Sequence, residues 1–92
     1  MSQLTFNTDE GRSTSNLIST SCSNLGTELT SLRNNINSLV GSAWIGQSAT
    51  QFQGEFEQWA NTLQNVINEL ETMKGRLEME ISQWEETASA FA

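Results

Sequence analysis

The sequence predicts an all-α protein, an antiparallel two-helix hairpin that dimerises into a four-helix bundle. Two runs of apolar residues recur at alternating steps of four and three, which is the seam pattern of a coiled coil. The chain contains no proline, so helices can run well beyond the usual three turns. A glycine-bounded segment separates the two runs. We therefore expect the 92 residues to form a single helical-hairpin domain, residues 1–92.

The first helix is defined by the first apolar run. Asn7, followed three residues later by Glu10, matches a capping box, so the helix is predicted over about residues 8–40. The seam positions ahead of the run are Gly11 and Ser15, which predicts weakly packed first turns. The seam residues of the run are Ile18, Cys22, Leu25, Leu29, Leu32, Ile36 and Leu39.

The second helix follows a longer run. Ser48 with Gln51 reads as another capping box, which predicts a helix over about residues 48–90. The step from Leu77 to Ile81 repeats a spacing of four, so we expect the last turns to diverge from the first helix. The seam residues of this run are Phe52, Phe56, Trp59, Leu63, Val66, Leu70, Met73, Leu77, Ile81, Trp84, Ala88 and Phe91.

A short turn, residues 41–47, joins the two helices. Gly41 suits a left-handed helix cap, and Gly46 gives the backbone freedom to enter the second helix. So short a connection places the helices side by side and antiparallel. Trp44 then lies at the closed end of the hairpin, where its large ring is expected to cover the last turns of both seams.

Composition excludes several classes of function. The net charge is −7, and only four basic residues are scattered along the chain, so no basic patch for nucleic acid or anionic lipid is expected. No apolar stretch approaches the roughly 20 residues of a membrane span, and no basic segment followed by an apolar run indicates a cleaved signal peptide.

An enzyme is the weakest interpretation. Cys22 occupies a seam position, where cysteine usually serves as a small apolar residue, and the chain has no histidine to activate it. Without histidine, a di-iron helical bundle is excluded as well. We therefore expect no catalytic residue, no metal and no cofactor. The acidic residues, concentrated in the second helix, are expected to form a solvated face.

The tripeptide Trp44-Ile45-Gly46, placed midway between two proline-free heptad runs and followed by an aromatic stripe, resembles the WXG family of ESAT-like proteins. The resemblance covers the whole chain and implies a hairpin that dimerises with itself or with a paralogous WXG partner. It further implies a small substrate of a type VII secretion system, exported from the cytoplasm as a folded dimer by the export ATPase.

The resemblance also bears on candidate site residues. The turn motif is Trp44 and Gly46. Many members or their partners carry a C-terminal Tyr-x-x-x-Asp/Glu export signal, and this chain has no tyrosine. Ala88 stands four residues after Trp84, where an acid would be expected, so the signal is either degenerate here or carried by a partner. The candidates for a degenerate signal are Trp84, Glu85 and Phe91, in a final segment, 84–92, expected to be mobile and to lie beyond the bundle. The expected core and dimer interface comprises Leu25, Leu29, Leu32, Ile36, Phe52, Phe56 and Trp59.

Two other interpretations use the same hairpin. One is a cytoplasmic helical adaptor or chaperone, which needs only an amphipathic helix pair. The other is a structural subunit of a secretion apparatus, such as a type III needle protein, although the turn of those proteins is rich in proline. An adjacent gene for an FtsK/SpoIIIE-type ATPase would favour type VII export.

Overall fold

The structure, a computed structural model, describes residues 4–90. Helix α1 spans Thr8–Leu39 and helix α2 spans Gln47–Ala90, and the two pack antiparallel along α1. The result is a rod about 68 Å long. The predicted all-α hairpin is confirmed. Neither helix, within the described residues, contains an apolar stretch that would span a membrane.

Helix α1 begins as the capping motif predicts. The side-chain Oδ1 of Asn7 accepts a hydrogen bond from the backbone N–H of Glu10 at 3.1 Å. Asp9 and Glu10 place negative charge in the first turn, where the helix macrodipole favours it. The start of α1 is therefore fixed by local interactions.

The turn depends on two glycines with positive φ. Gly41 has φ of 93° and Gly46 has φ of 132°, a region that side-chain-bearing residues rarely adopt. The Trp44 N–H donates to the carbonyl of Leu39 at 2.9 Å, which satisfies one of the last carbonyls of α1. Helix α2 begins at Gln47, so Gly46 immediately precedes it.

The predicted helix cap at Ser48 is wrong, because Ser48 is the second residue of α2. The carbonyl of Gly46 instead accepts the first bond of the helix, from the N–H of Thr50 at 3.2 Å. The extra freedom of glycine lets the chain turn directly into the helix without a side-chain acceptor.

Small residues bring the two helices together. On α1 the buried positions are Gly11, Ser15, Cys22 and Leu29, which continue the predicted seam. On α2 the buried positions are Ala49, Ala60, Ile67 and Ile81. The contact line on α2 is thus shifted by one residue from the predicted seam at Trp59 and Val66, to Ala60 and Ile67. At Ala60 the small side chain permits a closer approach than the neighbouring indole would.

The first turns of α1 are well packed, contrary to the expectation from Gly11 and Ser15. Ser15 is 3% exposed, and its hydroxyl donates to Glu78 Oε1 at 2.9 Å. Ile81 is 4% exposed and lies against Gly11, so the expected divergence of α2 after Leu77 is also wrong at this position. At Gly11 the absence of a side chain lets α1 pack closely against α2, whereas most other seam positions carry large side chains.

Candidate functional site

One edge of the hairpin is polar. Arg33 Nε donates to Glu57 Oε1 at 3.2 Å, and Gln53 Nε2 donates to Asn37 Oδ1 at 2.8 Å. Both pairs cross from α1 to α2 on the same side of the buried contact line. This polar edge therefore carries two side-chain hydrogen bonds between the helices of one chain.

The opposite edge is apolar on both helices. Residues of an α-helix are rotated by about 100° each, so Leu32 lies on the other side of Leu29 from Arg33. By the same rotation, Trp59 lies on the other side of Ala60 from Glu57. Because the helices are antiparallel, the two rotations run to the same side of the hairpin. The apolar residues of α1 and α2 therefore form one continuous surface.

This surface, the apolar face, is exposed in the single chain. Leu32 is 43% exposed on α1, while Phe52 is 41% and Trp59 is 50% exposed on α2. The spacing of seven residues keeps each stripe on one side along the rod. The exposed members of the apolar face are Leu32, Leu39, Phe52, Trp59, Val66 and Met73.

Aromatic contacts stiffen the face near the turn. Trp44 is half-buried and its ring centroid lies 5.4 Å from that of Phe52. The rings of Phe56 and Trp59 are 5.7 Å apart and tilted by 36°. The Trp-X-Gly turn thus ends the apolar face at the closed end of the hairpin: Trp44 extends the surface, and Gly46 supplies the backbone geometry.

The predicted interface residues fall into three groups. Leu29 is buried between α1 and α2, so it belongs to the core of one hairpin. Leu25, Ile36 and Phe56 are half-buried between the core and the face. The exposed group is Leu32, Phe52 and Trp59.

Sequence reasoning left three exposed residues out of the interface set: Leu39, Val66 and Met73. Each lies seven residues beyond another member of the apolar face. That spacing was the signal for including them, since residues seven apart share a side of a coiled-coil helix.

At the open end, where the start of α1 meets the last turns of α2, aromatic and charged side chains meet. The ring of Phe6 packs edge-on against Trp84, with centroids 5.9 Å apart and planes at 84°. Arg12 forms an ion pair with Glu85. The expectation that the final segment lies beyond the helix pair is therefore wrong for Trp84 and Glu85, and Phe91 lies outside the described residues.

The carboxylates of the open end are stabilised in their charged form. A hydrogen bond from Arg12 lowers the pKa of Glu85, and the same bond raises the pKa of Arg12. A hydrogen bond from Lys74, at 2.9 Å, lowers the pKa of Glu78, and the hydroxyl of Ser15 adds to that effect. Two cross-helix contacts, Arg12 with Glu85 and Ser15 with Glu78, thus link the first turns of α1 to α2 around neutral pH.

No three His, Cys, Asp or Glu side chains in residues 4–90 are grouped to hold a metal ion. The thiol of Cys22 is buried and points to the carbonyl of Ile67, with the sulfur 3.9 Å from the oxygen. The groove lined by Arg12, Ser15 and Glu78 is partly open to solvent. The apolar face is therefore the principal candidate functional surface.

The chain was compared with protein-family models, curated proteins and solved structures. The protein-family model WXG100, described as proteins of 100 residues with WXG, matches residues 3–89. No curated protein and no solved structure matches the chain. The matched range contains α1, the Trp-X-Gly turn and all of α2 except its last residue, Ala90.

Proposed function

The chain belongs to the WXG100 family, the ESAT-like family of type VII secretion substrates, and we propose that it is such a substrate and leaves the cell as a folded dimer. It acts by contact with other proteins. The dimer partner is a second copy or a paralogous WXG hairpin, and the export ATPase carries the pair across the membrane.

The apolar face is the observation that supports this proposal. Large side chains, Trp59 and Phe52 among them, lie 41–61% exposed along one side of a thin rod. Soluble monomers rarely leave so long a continuous apolar stripe in water, because covering it is favourable by about 25 cal/mol for each Å². A second hairpin laid face to face would bury the stripe and complete a four-helix bundle.

The polar edge supports the same arrangement from the other side. Its cross-helix pairs, Arg33–Glu57 and Asn37–Gln53, leave a solvated surface with no apolar stripe to cover. Association is thus expected on one side only, which yields a closed dimer. A chain with an associating apolar surface on each of two sides would form open polymers.

Two methionines on α2 offer a matched test. Met73 is 61% exposed on the apolar face, and Met79 is 62% exposed, but six residues further on, about 120° around the helix. Met73→Glu and Trp59→Glu place a charge in the proposed interface, whereas Met79→Glu places the same charge outside it. Sedimentation equilibrium at micromolar concentration then measures association, and immunoblotting of culture medium measures secretion.

We expect the parent chain and Met79→Glu to sediment as dimers, and Trp59→Glu to dissociate at least ten-fold more readily, since truncated interface aromatics cost about 2 kcal/mol or more. Met73→Glu, nearer the end of the face, should show a smaller effect. Secretion should follow the dimer. A parent chain that sediments as a folded monomer would reject self-association and direct the search to a paralogous partner. Secretion of monomeric Trp59→Glu at the parent level would refute export as a dimer.

The export address is proposed to lie in the last turns of α2. Trp84 takes the place of the tyrosine that the family signal uses, and Glu85 supplies an acid beside it. The family signal places its acid four residues after the aromatic, whereas here Ala88 occupies that position and the carboxylate lies directly beside the ring. Trp84→Ala should therefore reduce secretion without changing dimer formation.

A further inference from the structure

The arm that precedes α1, residues 4–7, folds back over the open end of the hairpin. The ring of Phe6 sits so close to Gly11 that a Cβ built on that glycine would lie 3.0 Å from two ring carbons. The same Cβ would lie 3.1 Å from the Cδ1 of Ile81 on α2. Phe6, Gly11 and Ile81 are thus packed in one layer, and the absence of a side chain at Gly11 makes room for the ring.

The exposed side of that layer is closed by Trp84. Phe6 meets its indole edge-to-face, an arrangement that the electrostatics of aromatic rings favour. Trp84 remains 36% exposed, so Phe6 covers only part of it. One residue later, Glu85 is tied to α1 by Arg12. Phe6 of the arm and Arg12 of α1 therefore contact the two residues proposed above as the export address.

We infer that the arm is a releasable cover on the address: Phe6 and Arg12 hold Trp84 and Glu85 against the hairpin, and release of Phe6 presents the indole to a partner. The inference rests on the proposed function, because it assumes that this segment is read. The partner it fits offers an apolar pocket for an aromatic ring and a basic group that replaces Arg12 as the partner of Glu85.

The contacts suit release rather than permanent closure. Leu4, in the same arm, is 83% exposed, so the arm is held chiefly by one ring. The ion pair is half-exposed, with side-chain exposures of 51% for Arg12 and 42% for Glu85, and exposed pairs contribute little to stability. An aromatic pair of this kind changes an equilibrium by roughly two- to ten-fold, which a binding partner readily exceeds.

The first experiment tests the cover itself. In a Trp44→Phe, Trp59→Phe background Trp84 is the only indole, and acrylamide quenching of its fluorescence reports its exposure. Phe6→Ala should raise the quenching constant. Leu4→Ala, which removes an exposed side chain from the same arm, should leave it unchanged. Circular dichroism checks that both variants keep the parent's helix content. Equal quenching in Phe6→Ala and its parent would overturn the cover.

The second experiment tests what the cover controls, with the purified cytoplasmic domain of the export ATPase as the probe. Phe6→Ala should bind it roughly two- to ten-fold more tightly than the parent, because no part of the population is closed. Trp84→Ala should bind more weakly. If Trp84→Ala loses binding but Phe6→Ala gains none, the cover is refuted and the address stands. If Trp84→Ala binds like the parent, the proposed address fails and the cover with it.

Discussion

The two ends of the hairpin are held by different means. At the closed end the chain itself connects the helices, two glycines take positive φ, and Trp44 packs on Phe52 eight residues away. At the open end no peptide bond connects α1 to α2. There Phe6 contacts Trp84, and Arg12 pairs with Glu85, which is 73 residues distant.

The two ends differ in the entropic cost of bringing their contacting side chains together. Contacts at the turn close a short loop, whereas those at the open end require both helices to be formed and aligned, and loop-closure entropy increases with length. The closed end is therefore expected to form early and open last. The open end, joined by half-exposed side chains, is expected to be the part that opens locally in the native state.

The largest effect is expected at the closed end. Truncating a fully buried aromatic costs about 3–5 kcal/mol, and Trp44 is half-buried, so Trp44→Ala should lower the unfolding free energy by about 2 kcal/mol. Its neighbour Ile45, 78% exposed, provides the control, and Ile45→Ala should change it by less than about 0.5 kcal/mol.

Urea melts at one fixed protein concentration measure both variants, because association adds to apparent stability. If Trp44→Ala and Ile45→Ala lower the unfolding free energy by equally small amounts, the Trp44 indole does not stabilise the closed end. A role for Trp44 in contacting another protein would then replace the structural one.

The next largest effect is the difference in stability between alanine substitutions at two helical glycines, Gly54 and Gly11. A Cβ built at Gly54 meets no atom within 4 Å apart from the adjacent backbone of its own helix, so Gly54→Ala should stabilise the protein by about 1 kcal/mol through helix propensity alone. At Gly11 the new methyl meets the Phe6 ring and Ile81 at 3.0–3.1 Å. Gly11→Ala should therefore be less stable than Gly54→Ala by about 1–2 kcal/mol, since overpacking offsets the propensity gain.

The same pair of variants has a second readout. If the methyl at Gly11 displaces Phe6, quenching of Trp84 rises in Gly11→Ala and stays at the parent level in Gly54→Ala. Equal gains in stability for the two variants, with unchanged quenching, would show that the open end is loosely packed at Gly11.

The helices and the turn followed from the sequence because their causes are local. Asn7 caps α1, Gly41 and Gly46 adopt the positive φ expected of them, and the heptad spacing of Cys22 and Leu29 places them on the buried side. Each of these features depends on residues a few positions apart. Such signals are legible in a single sequence.

The parts that were predicted wrongly depend on the neighbouring helix. Along α2 one row of residues spaced seven apart contains Trp59 and Val66, and the adjacent row contains Ala60 and Ile67. Periodicity alone does not say which of these two rows faces α1. Packing selects Ala60, which is fully buried, because a small residue allows closer approach and leaves the larger ring on the apolar face. The same reasoning explains Gly11, where the absence of a side chain marks a tight contact with Phe6 and Ile81.

The smallest predicted effect is that acid loosens the open end of the hairpin at a higher pH than the closed end. Glu78 and Glu85, both at the open end, have pKa values lowered by Lys74 with Ser15 and by Arg12, respectively. Their charged forms stabilise the folded state fully above the unfolded glutamate pKa of about 4.3, and that stabilisation is lost as the pH falls through the lower folded pKa.

Acidification below about pH 4.3 should thus expose Trp84 before Trp44. Two single-indole proteins report this separately: Trp44→Phe, Trp59→Phe for the open end, and Trp59→Phe, Trp84→Phe for the closed end. Glu85→Gln in the first protein should raise quenching of Trp84 at neutral pH and flatten its pH response, because the carboxylate that pairs with Arg12 is gone. If both indoles become accessible at the same pH, the hairpin opens as one unit, and the ion pairs do not act on the open end alone.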